Sequence, residues 1–429
     1  MILIKNGRVI DPESRRDEVT DILIDGKIIK KIENNICEED MDKAIDARGM
    51  IVSPGLIDVH VHFRDPGFTY KEDIMSGSEA AAKGGFTTVV CMANTNPVAD
   101  NEGIIQYIIN EGKKSPINVL ATAAVSMGLK GMELVDMEGL KASGAVGFTD
   151  DGMPLMNSAL VMDAMEIAKI LNVPLSFHEE DPKLIYNPGI NEGSVSEKLG
   201  LKGALRTAED VMVARDCILA IQTRARINIQ HVSSSESVDI IRCAKSKGAD
   251  IYAEATPHHF ALTEEAVIKY GTNAKMNPPL RTEEDRLAII EGLKDNTLNI
   301  IATDHAPHSS EEKEREFYRA PSGIIGLETS LALGITYLVK EGHLNIAGLL
   351  EKMTVSPAKL YNLEAGRIKE GAVADLVLFN MDERWTVESF VSKSSNSPFL
   401  GHELQGKVKF TLCGGRIVYN DYQSTSEYI

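Results

Sequence analysis

The chain has 429 residues, a formal net charge of −18, 43% hydrophobic and 25% charged residues. That is the composition of a soluble globular protein with ample core. The acidic balance argues against nucleic acid or an anionic membrane as a partner, because both need a basic footprint. A small anionic substrate is not excluded, since it responds to the local field.

The five cysteines, Cys37, Cys91, Cys217, Cys243 and Cys413, are scattered and form no CxxC pair, a pattern that suits free thiols in a reducing compartment. The opening "MILIKNGRVID" carries a charge by its fifth residue and is not read as a signal peptide. The most apolar helical stretch, "IIGLETSLALGITYLV", contains Glu328 and is shorter than the ~20 residues a membrane span needs. A cytoplasmic protein without a membrane partner is expected.

In chain order, the first fifty residues read as short strands and tight turns. "ILIKNGRVID" and "DILIDGKIIKKI" hold Asn-Gly and Asp-Gly between apolar residues, a hairpin signal. The C-terminal stretches "GRIKEGAVADLVLFN" and "KVKFTLCGGRIVYN" have the same character. Neither end has a comfortable core of its own, so residues 1–52 and 364–429 are expected to pair into one small β-sandwich domain.

Between them, in residues 53–363, short apolar strands alternate with helical stretches. The strands read are "LIDVHVH", "FTTVVCMAN", "INVLATAAV", "AVGFTDD", "PLSFHEE", "RINIQHVS", "DIYAEATPHH" and "NIIATDHAP". Helices such as "AEDVMVARDCILAIQTR" and "SESVDIIRCAKSKG" fall between them. This alternation predicts an α/β fold, a (β/α)8 TIM barrel. A doubly wound sheet would want a Gly-rich phosphate loop after the first strand, and none is present.

The polar residues fall at one end of these strands: His60 and His62 on the first, Asn94 on the second, Asp150 and Asp151 on the fourth, His178 on the fifth. His231 ends the sixth, His258 and His259 the seventh, Asp304 and His305 the eighth. That is the end that carries the active site in such a barrel. Side chains alternate along a strand, so His60 and His62 point the same way. With His178, His231, Asp151 and Asp304 they make a nitrogen/oxygen metal site suited to zinc. Six ligands suit two metals ~3.5–4 Å apart with a bridging carboxylate. His258, His259 and His305 read as supporting or packing groups, Asp150 as a structural acceptor, and Arg64 as a guanidinium that could grip a carboxylate.

"GLIDVHVHFRDPG", "CMANTNP", "FTDDG", "HEED", "QHVSS", "ATPHHF", "KMNPPLR" and "ATDHAPH" together resemble the amidohydrolase superfamily, and most closely its class I dihydroorotases. The likeness runs on to "NSPFLGHELQGKV" and so covers nearly the whole chain. It implies reversible cyclisation of N-carbamoyl-L-aspartate to dihydroorotate in pyrimidine synthesis, by a metal-activated hydroxide. His60 and His62 are implied to bind one zinc and His178 and His231 a second, with Asp151 bridging. Asp304 is implied to bind the first metal and shuttle the catalytic proton. His62, Arg64, Asn94 and His308 would face the substrate and its carboxylate; Asn277 and the backbone near Ser322 and Gly323 would contact the ring. A homodimer is expected, and association with aspartate transcarbamoylase is an option.

Two departures from the family pattern matter. No lysine lies in "GFTDDG", where many superfamily members bridge their metals with a carboxylated lysine, so the second metal is expected to be weaker. "APSG" has Ser322 where an aromatic is usual. The rival readings are another cyclic amidase (hydantoinase, dihydropyrimidinase or allantoinase) and a non-catalytic partner of aspartate transcarbamoylase. The charged stretch "HSSEEKEREFYRAPSG", 308–323, reads either as a solvated loop or as a lid over the site.

Overall fold

The computed structural model describes residues 1–37 and 41–422. Five strands come first: β1 (Ile2–Asp11), β2 (Arg16–Asp25), β3 (Ile28–Glu33), β4 (Lys43–Asp46) and β5 (Ile51–Pro54). Eight short strands follow: β6 (Leu56–Val61), β7 (Phe86–Cys91), β8 (Asn118–Ala121), β9 (Phe148–Thr149), β10 (Leu175–Phe177), β11 (Ile227–Ile229), β12 (Ile251–Ala255) and β13 (Ile300–Ile301). The last three are β14 (Leu376–Thr386), β15 (Glu403–Cys413) and β16 (Arg416–Asn420).

Strands β6 to β13 form the barrel. Pairing is parallel along β6-β7-β8 and along β9 to β13. The two sheets join where Ala123 bridges Phe148, and the ring closes where His305 bridges Val61. Every residue of β6 and β7 is buried, as parallel strands covered on both faces require. Ile57, Val59, Val90, Met92, Ile300 and Ala302 pack together from three neighbouring strands. Helices alternate with the strands, and several start where the sequence supplies a cap. Asn101, Asn157, Ser234 and Thr282 accept backbone N–H bonds at the starts of Glu102–Gly112, Ser158–Leu171, Ser235–Ser246 and Glu283–Lys294. None of the described helices is long and apolar enough to cross a membrane.

The two chain ends build one mixed sheet, ordered β16-β15-β14-β5-β1-β2-β3 with β4 beside β1. It curls on itself, so that Ile22, Ile24 and Ile29 from one arm share a buried cluster with Leu376, Leu378, Phe410 and Leu412 from the other. Neither end could bury this apolar surface alone. The Asp25-Gly26 turn joins β2 to β3 as a hairpin. The Asn6-Gly7 pair does not make the hairpin its composition predicts. It lies inside β1 as a bulge, with Asn6 at φ +60° and its N–H donating to Asp21 Oδ1 at 2.8 Å. An Asn in the left-handed region serves a bulge as readily as a turn.

Between β14 and β15 the chain leaves the sheet and docks on the barrel mouth. The Asn396 carboxamide donates to Ala306 O and Gly323 O at 3.0 Å and accepts from His308 N at 3.1 Å. Ser392 Oγ donates to the buried Glu72.

Candidate metal centre and substrate cavity

The strand ends deliver their side chains by unusual backbone. His231 and Asp304 follow β11 and β13 at φ +34° and +48°, and Arg64 follows β6 at +61°. Non-glycine residues seldom adopt this region, and the strain is characteristic of functional sites. Here it turns three side chains toward the same mouth.

Two triads meet there: His60, His62 and Asp151, and Asp151, His178 and His231. His60 Nε2 lies 3.5 Å and His178 Nδ1 3.5 Å from Asp151 Oδ1, with His231 Nε2 at 3.7 Å. His62 Nε2 lies 3.3 Å from Asp151 Oδ2. Asp304 Oδ1 closes the first group, 3.0 Å from His62 Nε2 and 3.5 Å from His60 Nε2. A tetrahedral zinc with bonds of ~2.1 Å sets its ligand atoms ~3.4 Å apart, close to these spacings. The chemistry of the donor atoms agrees. Among the described residues, His60 Nε2 and Asp151 Oδ1 are buried without a hydrogen-bond partner, a costly state unless a cation meets both. The donor set of imidazole and carboxylate therefore fits a divalent ion.

The neighbours of the histidines fix which nitrogen faces the centre. Glu254, fully buried, takes His60 Nδ1 at 2.9 Å. Asn94 Oδ1 takes His62 Nδ1 at 2.9 Å, and Glu180 Oε2 takes His178 Nε2 at 3.2 Å. For His60 and His62 the bond leaves the opposite nitrogen as a lone pair for the metal; His178 Nδ1 lies 2.8 Å from His231 Nε2, a contact that an ion held by both would replace. Gln230 Nε2 packs 3.3 Å from His60 Nδ1 and 3.3 Å from Met92 Sδ. Burial by itself disfavours charge on His60, but Asp151, Glu254 and Asp304 outweigh it and hold its pKa well above the usual value. Burial likewise favours a protonated Asp151, and His60, His178 and His231 reverse this, keeping it well below the usual carboxylate range. The field at the centre therefore favours positive charge.

A cavity of about 200 Å3 opens over these groups. Its lining includes His62, Arg64, Asn94, Asp151, His178, His231, Asn277, Asp304, His308, Ser322 and Gly323; of the residues expected to bind metal or substrate, His60 alone is hidden behind them. Arg64 donates from Nε to Pro307 O at 3.3 Å and sets Nη2 3.4 Å from His308 Nε2. Among the described residues it pairs with no carboxylate. Burial, then Arg64, Lys71 and Lys313, push the His308 pKa far down, so its ring is neutral. Asn277 Oδ1 is buried and has no partner among the described residues, ready to accept from a ligand N–H. Asn94 serves two purposes, since its Nδ2 also reaches Asp151 Oδ2 at 3.3 Å.

The segment 308–323 forms one wall and is held from beneath. Buried Lys275 donates to Phe317 O and Ala320 O at 2.6 and 2.7 Å. Buried Lys313 donates to Pro321 O and Gly323 O at 3.0 and 2.9 Å. Asp150 faces away from the centre, accepting from Val125 N at 2.7 Å and Ser126 N at 3.1 Å. His259 is bound by Thr256 Oγ1 at 2.7 Å and Pro278 O at 3.1 Å. His305 accepts from Gly326 N at 3.2 Å, and burial lowers the His258 pKa to about 4. Glu254, Glu180 and Gln230 escape sequence reasoning. Glu254 in "IYAEA" reads as the polar member of an alternating strand; its one signal is a lone carboxylate inside a short barrel strand.

A closed parallel barrel with two carboxylate-linked histidine pairs at its C-terminal mouth defines the class: an amidohydrolase barrel. Solved structures agree on the fold. The L-hydantoinase (dihydropyrimidinase) of Arthrobacter aurescens superposes with a TM-score of 0.88 at 24% identity, over 98% of this chain and 96% of that one. The D-hydantoinase (dihydropyrimidinase) of Thermus sp. does so with 0.84 at 26% identity, over 100% and 96%. A family model described as Dihydro-orotase-like matches residues 49–237. Curated relatives named dihydroorotase are far more similar. That of Clostridioides difficile (strain 630) is 64% identical across 98% of this chain and 100% of its own length. Those of Clostridium acetobutylicum and Lactococcus lactis are 57% and 51% identical, across 98% and 97% of this chain and 100% and 99% of their own lengths. The chain belongs to the dihydroorotase family.

Proposed function

We infer that the protein is a dihydroorotase, opening dihydroorotate to N-carbamoyl-L-aspartate and closing it again. One observation carries this reading most directly. A guanidinium that pairs with no carboxylate among the described residues, Arg64, stands beside neutral His308 at the rim of a centre whose histidine pairs share Asp151. A substrate that is both a cyclic amide and a carboxylate answers both halves. It is also what separates this reading from the other cyclic amidases, whose substrates mostly lack that carboxylate.

We assign zinc to this centre: His60, His62 and Asp304 would hold one ion and His178 and His231 a second, with Asp151 available to each. Bound divalent ions supply Lewis acidity and lower the pKa of water to ~7. Arg64 and His308 hold the substrate carboxylate, and Asn277 with the backbone at Ser322 and Gly323 holds the ring. Asn94 steadies His62 and Asp151. Asp304 accepts the proton of the attacking water and returns it to the departing ring nitrogen, as general base and then acid. Burial opposes charge on Asp304, but His60 and His62 hold its carboxyl below the usual range, so it enters the reaction as a base. No serine or cysteine nucleophile is needed.

The domain limits belong to the same reading: a composite β-domain from 1–52 and 364–429, and a catalytic barrel from 53–363. The test is a ring-opening assay run with metal quantification, before and after chelation. Activity lost with the metal and restored by zinc supports the reading; turnover of hydantoin or allantoin in preference to dihydroorotate overturns it.

A further inference from the structure

We propose that Lys71 is a positioning residue for substrate recognition, fixing His308 as the Nε2–H tautomer so that imidazole and Arg64 offer donors side by side to the substrate carboxylate. This rests on the reading that those two groups hold that carboxylate.

Lys71 lies on the loop after β6, with 12% of its side chain exposed. Its Nζ is 3.2 Å from His308 Nδ1 and 3.0 Å from Glu312 Oε1. An ammonium group donates and cannot accept, so Nδ1 must present its lone pair. The single proton of the neutral ring then sits on Nε2, where Ser322 O accepts it at 2.9 Å until a substrate carboxylate, the stronger acceptor, takes or shares it. Arg64 Nη2, 3.4 Å from the same nitrogen, then meets a proton rather than a lone pair, makes no hydrogen bond to the ring and stays a donor for the substrate. Glu312 holds the alternative. Its Oε2 is 3.5 Å from the same Nδ1, and without Lys71 a carboxylate is left as the partner there. It requires N–H at Nδ1, which moves the proton off Nε2. The bare Nε2 then faces Ser322 O and competes for Arg64, so two donors are lost to the substrate at once. Glu312 is kept in place meanwhile by Tyr70 Oη at 3.1 Å and Ser309 N at 3.2 Å.

The test uses the zinc-loaded enzyme, Lys71→Met and Lys71→Gln. Nitrogen NMR of 15N-histidine protein reads the tautomer directly. We expect Nε2–H in the wild type and Nδ1–H in Lys71→Met. Lys71→Met should raise KM for dihydroorotate about 10- to 100-fold, the loss of a charge-assisted bond, with kcat nearly unchanged. Lys71→Gln keeps a donor without the charge, so it should keep the tautomer and recover most of the affinity. The inference is overturned by Nδ1–H in the wild type, by the same tautomer in Lys71→Met, or by Lys71→Gln failing as badly as Lys71→Met. Nε2–H in the wild type and Nδ1–H in Lys71→Met, with no opening of dihydroorotate by the wild type, overturns the assigned reaction and leaves Lys71 as the residue that sets the His308 tautomer.

Discussion

Glu254 makes the sharpest test of how the centre is built. Its carboxylate receives three donors inside the barrel: His60 Nδ1 at 2.9 Å, Asn228 Nδ2 at 2.6 Å and His231 N at 3.3 Å. Glu254→Gln keeps the volume and removes the charge. Asn228 can turn its amide to meet the new NH2, because its own Oδ1 is unpartnered. What remains lost is the difference between a charge-assisted and a neutral hydrogen bond to His60, about 1–1.5 kcal/mol. That corresponds to ~10-fold in metal affinity. Glu254→Leu removes the acceptor entirely and strands three donors, so ~100-fold is expected there. Titration against a chromophoric chelator measures the affinity, and excess zinc should restore much of the activity of Glu254→Gln. Unchanged affinity in a folded Glu254→Leu protein would refute the idea that Glu254 sets the orientation of His60.

Three further outcomes follow from the cavity. Arg64→Met should lower kcat/KM for dihydroorotate by about 10²–10³-fold, mostly through KM, with metal content intact; loss of metal would make Arg64 structural instead. Asp304→Asn should cut kcat by about 10²–10⁴-fold, and near-normal turnover would assign the proton shuttle elsewhere. Ring opening generates a carboxylate and releases one proton at neutral pH. The ring-to-open ratio at equilibrium should therefore rise about tenfold for each unit the pH falls, and a flat ratio between about pH 6 and 8 contradicts the assigned reaction.

The barrel could be read from the sequence because its strands are short, apolar and separated by helical stretches, and because each polar residue of the centre stands at a strand end. The eight quoted segments each contain one barrel strand. What could not be read shares one cause: it depends on contacts between distant parts of the chain. Asn6-Gly7 has hairpin chemistry, and only the pairing of β1 with β2 makes it a bulge. Glu254 looks like a surface residue of a strand until β6 and β11 place His60 and His231 against it. The charge of 308–323 is that of a solvated loop, but Lys313 turns inward and Lys275, far away in sequence, reaches up to meet the same backbone. Asn396 arrives from between two strands of the other domain.

The missing fourth-strand lysine raises the question of unequal metal sites, and the geometry changes the reason for expecting it. An aspartate is short, but Asp151 sits beyond β9 with its oxygens 3.3 and 3.5 Å from the first histidine pair and 3.5 and 3.7 Å from the second. Reach is nearly balanced. Charge is not. The first pair has a second carboxylate, Asp304, at 3.0 and 3.5 Å, whereas the acids beside the second pair are engaged away from its inner nitrogens: Glu180 holds the far nitrogen of His178 and Glu254 meets the backbone N–H of His231. Two carboxylates stabilise a divalent ion better than one. Graded chelation should therefore release one ion before the other, and Asp304→Asn should bring the two closer in affinity. Simultaneous release from the unaltered enzyme would return the explanation to reach rather than charge.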